Sequence, residues 1–297
     1  MSAVDFPVWM AAQQAGVEAA LSRWTPSDTP AGLGEAMRYA VLDGGKRLRP
    51  LLTLAASQAV RGNAEAALRA ACAAELIHAY SLVHDDLPCM DNDVLRRGKP
   101  TVHVRFGEAQ ALLAGDALQA LAFELLTPEG DAVPAAMQAE LCRLLARAAG
   151  AQGMAGGQAI DLASVGRPLS EPELRAMHRL KTGALLQASV RLGVATGARV
   201  APAARAALDD YGAAIGLAFQ VVDDILDTTA DSAELGKTAG KDAAAGKPTY
   251  VSLLGLPASQ ALADELCVKA HRALDACGLP HVGHLRALAD LVVRRTH

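Results

Sequence analysis

The stretch "HAYSLVHDDLPCMDNDVLRRGKP", residues 78–100, sets Asp85, Asp86, Asp91 and Asp93 behind an apolar run and ahead of Arg96 and Arg97. Pro88 disfavours helix at Leu87, so a helix ends nearby and Asp91 belongs to the following loop. From there Asp91 can fold back toward Asp85. His78, seven residues before Asp85, shares its helix face. A helix C-terminus is already the negative end of the dipole, and extra carboxylates there destabilise it. The stretch therefore calls for a positive partner.

A second cluster lies far down the chain in "FQVVDDILD", with Asp223, Asp224 and Asp227. Asp223 and Asp227 fall about 40° apart on one helix face, where like charges repel. A divalent cation reverses both penalties. Carboxylates with no cysteine or paired histidine suit a hard ion, and Mg²⁺ is the usual one when phosphates share the coordination. One such cluster alone is more often a solvated helix end. Two of them, each closing an apolar helix, point to metal. Glu75 and His78 also spell E-x-x-H, a ligand pair of di-iron bundles, but that architecture needs a second pair which the sequence lacks.

Between the clusters the pattern is helical. Alanine and leucine dominate a composition that is 52% hydrophobic, and both favour helix. The periodicity predicts helices near 8–24, 48–61, 64–87, 105–126, 133–150, 171–196, 202–228, 257–276 and 281–295, and no sheet. The breaks fall at 43–50, 88–100, 153–158 ("GMAGGQ") and 230–248. The last, with Lys237, Lys241 and Lys247 among glycines, has the composition of a lid or a solvated linker. With no Pro/Ser-rich linker, residues 1–297 read as a single domain.

Composition also excludes. A net charge of −4 argues against a nucleic-acid binder. The five cysteines are scattered without a C-x-x-C, which suits reduced thiols in a cytoplasmic protein. No signal-peptide pattern opens the chain, and no stretch suggests the roughly 18 apolar residues of a membrane span. The reading is a soluble protein with no membrane insertion. Lys46, Arg47 and Arg49 in "GGKRLRP", together with Arg96, Arg97 and Lys181, add basic groups suited to phosphate oxygens. These residues alone give a Mg²⁺-dependent, all-α enzyme acting on a small molecule with two or more phosphates.

The chain resembles the trans-isoprenyl diphosphate synthases, most closely the bacterial farnesyl diphosphate synthases. The motifs run nearly end to end: "GGKRLRP" (44–50), "ELIHAYSLVHDDLPCMDNDVLRRGKPT" (75–101), "LLAGDAL" (112–118), "GMAGGQAIDL" (153–162), "KTGALL" (181–186), "GLAFQVVDDILD" (216–227), "LGKTAGKD" (235–242) and "GKPTY" (246–250). The resemblance implies one large helical bundle around a central cavity, a homodimer, and head-to-tail prenyl transfer. In that reaction an allylic diphosphate (dimethylallyl or geranyl) ionises and isopentenyl diphosphate attacks the cation. It implies three Mg²⁺ ions on Asp85, Asp91 and Asp223, supported by Asp86, Asp224 and Asp227. Arg96, Lys181, Lys237 and, more weakly, Lys247 would hold the allylic diphosphate. Lys46, Arg49, His78 and Arg97 would hold isopentenyl diphosphate, with Phe219 against its carbon chain. Thr182 and Gln220 would face the carbocation, and Gln158 and Asp161 would stand behind the metals. Arg295 would help close the isopentenyl site. Leu291 departs from the family's frequent aromatic, and Cys89 and Asp93 receive no role.

The family shapes the floor of its tail pocket with residues four and five before the first aspartate, here Ser81 and Tyr80. Tyr80 lies about 7.5 Å from Asp85 along a helix. An aromatic there, with Pro88 and Cys89 as extra residues between the aspartates, favours a fifteen-carbon product. The rivals are geranylgeranyl diphosphate synthesis, a class I terpene cyclase and a non-catalytic partner subunit.

Overall fold

The helix that carries the first aspartates is lined with small residues. Ala66, Ala67, Ala70, Ala71, Ala73 and Ala74 are all buried, as are Cys72, Leu76 and Ile77. A helix apolar on every side belongs inside a protein, and alanine lets neighbours approach its backbone closely. In this computed structural model the described residues are 5–42, 44–167, 169–197, 200–229 and 249–295.

The chain divides into two units: Met1–Arg143 with Leu192–Ala198, and Leu144–Arg191 with Arg199–His297. The first holds α1 (Asp5–Trp24), α2 (Leu33–Val41), α3 (Leu48–Ala59) and the buried α4 (Ala64–Asp85). Next come β1 (Leu95–Arg96), β2 (Lys99–Pro100), α5 (Val102–Phe106) and α6 (Glu108–Leu126). Helix α4 is flanked by α6 and α3, with α1 and α2 also against it. Asn63 caps it by accepting from the Ala66 amide at 2.9 Å, which satisfies one of the orphan donors of the first turn.

Helices α7 (Ala135–Ala149) and α10 (Ala184–Ala195) have residues in both units. The second unit adds α8 (Met154–Ala163), α9 (Glu171–His178), a π-turn at Arg179–Gly183 and α11 (Pro202–Thr229). It ends with α12 (Tyr250–Leu254), α13 (Leu256–Ala276) and α14 (Gly283–Arg294). Helix α11 is its spine and packs chiefly on α13. Tyr211, fully buried, donates its hydroxyl to the Leu285 carbonyl at 2.6 Å and ties α11 to α14.

The all-α expectation holds, with four local corrections. A two-residue antiparallel ladder pairs Leu95 with Pro100 and Arg96 with Lys99. Its turn is Arg97-Gly98, with φ of 52° and 75°, the left-handed pair that tight hairpins require. The "GMAGGQ" break is helix: α8 begins at Met154. Helix α2 forms where none was expected. The 171–196 helix is interrupted by the π-turn.

Two helices meet a length and hydropathy criterion for a membrane span, against expectation. They are α4 and α6, each with mean hydropathy 1.2. Helix α4 is largely enclosed and carries the buried Glu75, so it is a core helix. Helix α6 is less covered, and leaves Leu112 and Leu113 about half exposed.

Candidate active site

The first cluster is built by a helix end that curls back. Helix α4 stops at Asp85. The Asp91 amide then donates to the Asp85 carbonyl at 2.8 Å, and the Asp93 amide to the Asp86 carbonyl at 3.2 Å. Asp85 and Asp91 therefore meet at one end of α4, both partly exposed. Asp86 turns inward at 2% exposure. Its carboxylate accepts from Arg96 Nε at 2.9 and 3.0 Å and from Nη2 at 2.6 Å. Burial pushes the Asp86 carboxyl above its ordinary value, and Arg96 pulls it back only in part. Asp93, given no role from sequence, staples the loop: its carbonyl accepts the Thr101 hydroxyl at 2.7 Å.

Beside this cluster is a basic cleft. Its lining includes Tyr39, Arg47, Glu75, His78, Arg96, Arg97, Lys99 and Thr101. Arg47 holds the wall together: it donates to Glu18, Glu75 and the Val41 carbonyl, each at 2.6 Å. Arg47 and Glu75 are each 4% exposed, so the glutamate of the E-x-x-H is a buried ion-pair partner. Burial, then Arg49, Arg97, Arg96 and Arg47, hold the His78 imidazole well below its ordinary value. It is neutral at pH 7 inside a ring of positive charge. Arg97 donates to the Gly44 carbonyl at 2.6 Å. A Cβ on Gly45, whose φ is +128°, would sit 2.9 Å from Arg97 Nη1. Within "GGKRLRP", Gly45 thus makes room for Arg97 and Gly44 supplies its acceptor. Lys46 is exposed and Arg49 buried.

Tyr80 is half-buried. Its ring meets His84 edge-on at 5.7 Å, and burial raises its hydroxyl's pKa against a hydrogen bond with Gln119 on α6. Ser81 donates back to the His78 carbonyl at 2.8 Å.

The second cluster lies on α11. Asp223 is partly exposed, while Asp224 and Asp227 are 3% and 7% exposed. Arg295 donates to Asp223 Oδ1 at 2.6 Å and to the Phe219 carbonyl at 2.7 Å, and its guanidinium lies 3.9 Å over the Phe219 ring. Arg295 therefore engages the aspartate cluster, a contact the sequence did not suggest. Asp224, grouped with the metal ligands from sequence, points both carboxylate oxygens at protein donors. Oδ1 accepts from Gln220 Nε2 and Oδ2 from the Tyr250 amide, both at 2.8 Å.

Lys181 and Thr182 sit on the π-turn, a feature often found at functional sites. Lys181 Nζ donates to Asp161 Oδ2 at 2.6 Å, and Thr182 Oγ1 donates to Gln220 Oε1 at 3.0 Å. The turn needs Gly157: a Cβ there would fall 2.1 Å from the Lys181 amide nitrogen. Both polar atoms of the Gln158 amide are buried without a partner among the described residues. Lys237 and Lys247 lie outside the described residues. Sequence reasoning missed Tyr39, Lys99 and Tyr250. Lys99 was visible in "RRGKP", whereas Tyr39 had no signal once α2 was overlooked.

The oxygen donors of each cluster fit a hard cation. Asp85 and Asp91 in the first unit, and Asp223 in the second, offer oxygen alone and reach solvent, while Asp86 and Asp224 accept from protein donors. Among the described residues one further group, Cys267, His271 and Asp290, brings ligand-type atoms within 4.8 Å. Its hydrogen bonds oppose a metal. Arg286 faces His271 Nδ1 at 2.8 Å, and a guanidinium only donates. With Nδ1 accepting, Nε2 is the nitrogen that carries a proton, and it points at Asp290 at 2.9 Å.

A polyprenyl synthetase family model matches residues 30–275, which takes in residues of both units and both aspartate clusters. The chain belongs to the polyprenyl synthetase family, whose members are prenyltransferases that depend on Mg²⁺ and use isoprenyl diphosphates. It is 51% identical over 276 residues to a probable farnesyl diphosphate synthase of Bradyrhizobium diazoefficiens, covering 91% of this chain and 82% of that one. It is 47% identical to geranylgeranyl pyrophosphate synthase 9 of Arabidopsis thaliana, over 99% of this chain and 82% of the relative. A Helicobacter pylori geranyltransferase structure complexed with magnesium and isoprenyl diphosphate matches with a TM-score of 0.85 at 34% identity, covering 99% of this chain and 97% of the other.

Proposed function

We propose that the chain, acting as one polyprenyl synthetase domain, condenses isopentenyl diphosphate with dimethylallyl or geranyl diphosphate to give (2E,6E)-farnesyl diphosphate. The observation that carries this is the pairing of a hard-cation carboxylate set with a separate basic cleft around a neutral His78. Two diphosphates need two such addresses.

Asp85, Asp91 and Asp223 are the carboxylates that would hold Mg²⁺, three ions in all, backed by Asp86, Asp224 and Asp227. Bound there, Mg²⁺ would supply Lewis-acid stabilisation to the departing diphosphate. Arg96, Lys181 and, outside the described residues, Lys237 and Lys247 would hold that diphosphate. Lys181 is already aimed by Asp161. Lys46, Arg49, His78 and Arg97 would hold isopentenyl diphosphate, with His78 neutral so that it can donate one hydrogen bond. Phe219 would cover the five-carbon chain, and the oxygens of Thr182 and Gln220 would face the allylic cation. Apolar walls would keep water from that cation.

Tyr80 is the proposed stop for chain growth, its ring held between His84 and Gln119. Small Ser81 and the similarity to geranylgeranyl synthases keep a twenty-carbon product as the second reading. The exposed Leu112–Leu113 face of α6 supports a homodimer, and five free thiols suit a cytoplasmic location.

The test is incubation with Mg²⁺, isopentenyl diphosphate and geranyl diphosphate, then sizing of the product. A fifteen-carbon diphosphate is expected; no product, or a cyclised hydrocarbon, sinks the proposal. Tyr80→Ala should lengthen the product, and an unchanged length removes Tyr80 as the floor.

A further inference from the structure

We propose that Asp224 is a positioning residue that fixes which way the Gln220 amide faces, and is not a metal ligand. The inference deepens the reading above and rests on it. Amide oxygen and nitrogen are hard to tell apart by shape, and hydrogen bonding must decide. Here it does. The Tyr250 main-chain N–H can only donate, and it holds Asp224 Oδ2 at 2.8 Å. An ionised carboxylate can only accept, so Asp224 Oδ1 requires the Gln220 NH₂ at 2.8 Å. That leaves Gln220 Oε1 toward Thr182, whose hydroxyl donates to it at 3.0 Å.

The chain of donors has one direction, from Thr182 to Gln220 to Asp224, with Tyr250 closing it. Thr182 has given its only proton to Gln220. What Thr182 offers elsewhere is lone-pair density, and Gln220 Oε1 keeps a second lone pair. Oriented oxygen dipoles of this kind stabilise positive charge that develops beside them. Asp224 itself is 3% exposed, with both oxygens turned to protein donors.

Replacement makes the idea sharp. In Asp224→Asn the fixed Tyr250 N–H still needs an acceptor, so Asn turns its oxygen there and its NH₂ toward Gln220. Gln220 must then flip and present NH₂ to Thr182, which reverses the dipole. Gln220→Glu alone sets two carboxylates face to face. Combining Gln220→Glu with Asp224→Asn restores a donor–acceptor match along Thr182, residue 220, residue 224 and the Tyr250 amide, and keeps the net charge.

The experiment measures kcat and KM with geranyl and isopentenyl diphosphates, Mn²⁺ binding by electron paramagnetic resonance without substrate, and the unfolding midpoint. Both single variants should lose about tenfold or more in kcat with KM little changed, the range for groups that orient a reacting neighbour. The double variant should recover most of the loss. Asp223→Asn should weaken Mn²⁺ binding about tenfold or more, and Asp224→Asn much less. Equal Mn²⁺ losses in the two variants, unchanged kcat in Asp224→Asn, or a double variant no better than Gln220→Glu each overturn the inference. If Asp224→Asn does not fold, the comparison of Gln220→Glu with the double variant still decides. A wild type that makes no prenyl product, with Mn²⁺ binding indifferent to Asp223→Asn, overturns the functional reading itself.

Discussion

The two aspartate clusters look alike as text and differ as objects. "DDLPCMD" straddles a helix end: the chain stops at Asp85 and returns Asp91 to it through a main-chain hydrogen bond. "DDILD" stays on α11 throughout. In the first, the inward aspartate, Asp86, is neutralised by a charge, Arg96. In the second, Asp224 accepts from the Gln220 side-chain amide and the Tyr250 main-chain amide, and Arg295 sits on the outward Asp223. The same letters thus put an arginine on the inward aspartate of one cluster and on the outward aspartate of the other. At about 100° per residue, neighbouring aspartates on a helix cannot face the same way, so each pair must divide its labour.

The strongest test of that division is functional. Asp85→Ala and Asp223→Ala should each lower kcat/KM by more than about 100-fold, above the 10–100-fold typical of groups behind a metal ligand. Asp86→Asn should fall within that lower range. Either outward variant keeping activity within about tenfold breaks the symmetry between the clusters.

The ion pair comes next. Arg96→Ala leaves a carboxylate at 2% exposure without its partner. Breaking a buried pair costs about 3–5 kcal/mol. The lower end, about 3 kcal/mol, is expected because the Arg96 side chain is 33% exposed. Urea unfolding at unchanged slope measures it, and a loss below about 1 kcal/mol would mean that Asp86 does not need Arg96.

Much of this was legible in sequence because it is periodic. Helix α11 announces itself by apolar spacing and α4 by a long run of helix-forming alanine, and the pre-proline rule places the end of α4. The misreadings share one cause. Gly153, Gly156 and Gly157 read as a break, yet they sit within or at the start of α8, and Gly157 is there because another backbone lies where its side chain would be. That contact is with Lys181, more than twenty residues away, and no local pattern records it. The π-turn was hidden for the same reason, since it is held from outside. The direction of Asp224 depends on Tyr250, across a segment whose sequence gives no register. Arg47 shows the limit for charge: "KRLR" reads as one basic turn, but Arg47 folds into a buried pair with Glu75 while Lys46 stays exposed.

A pH experiment separates the regions further. His178 begins the π-turn side of the second cluster and stacks on Tyr250 at 5.7 Å. Burial lowers its pKa from 6.5 to about 4, and neither ring nitrogen has a partner among the described residues. The unfolded chain binds the proton first, so stability is full above pH 6.5 and is lost as pH falls toward 4. Linkage gives a loss of about 2 kcal/mol by pH 5. His178→Phe should remove that part of the acid sensitivity in urea titrations at pH 7 and pH 5. An unchanged loss between pH 7 and pH 5 would show that His178 takes up its proton at the same pH folded and unfolded.

The smallest effect belongs to the second counter-ion. Asp223 has a side chain 41% exposed, so water can replace Arg295 when the arginine is removed. The Arg295 side chain is itself 9% exposed, but the charge left behind on its removal is solvated, so the pair contributes about 0–1 kcal/mol, and the guanidinium stacked on Phe219 adds a term of similar size. Arg295→Ala should therefore destabilise by about 1 kcal/mol or less, against about 3 kcal/mol for Arg96→Ala. Salt distinguishes the two further. At 1 M ionic strength the screening length is about 3 Å, which should erase most of the Arg295 ion-pair contribution. The Arg96 loss should persist, because Asp86 remains buried and must still lose its hydration. Urea midpoints of both variants at low and high salt measure this. If the two losses match, or if both vanish with salt, the distinction between an arginine on a buried aspartate and one on a solvated aspartate is wrong.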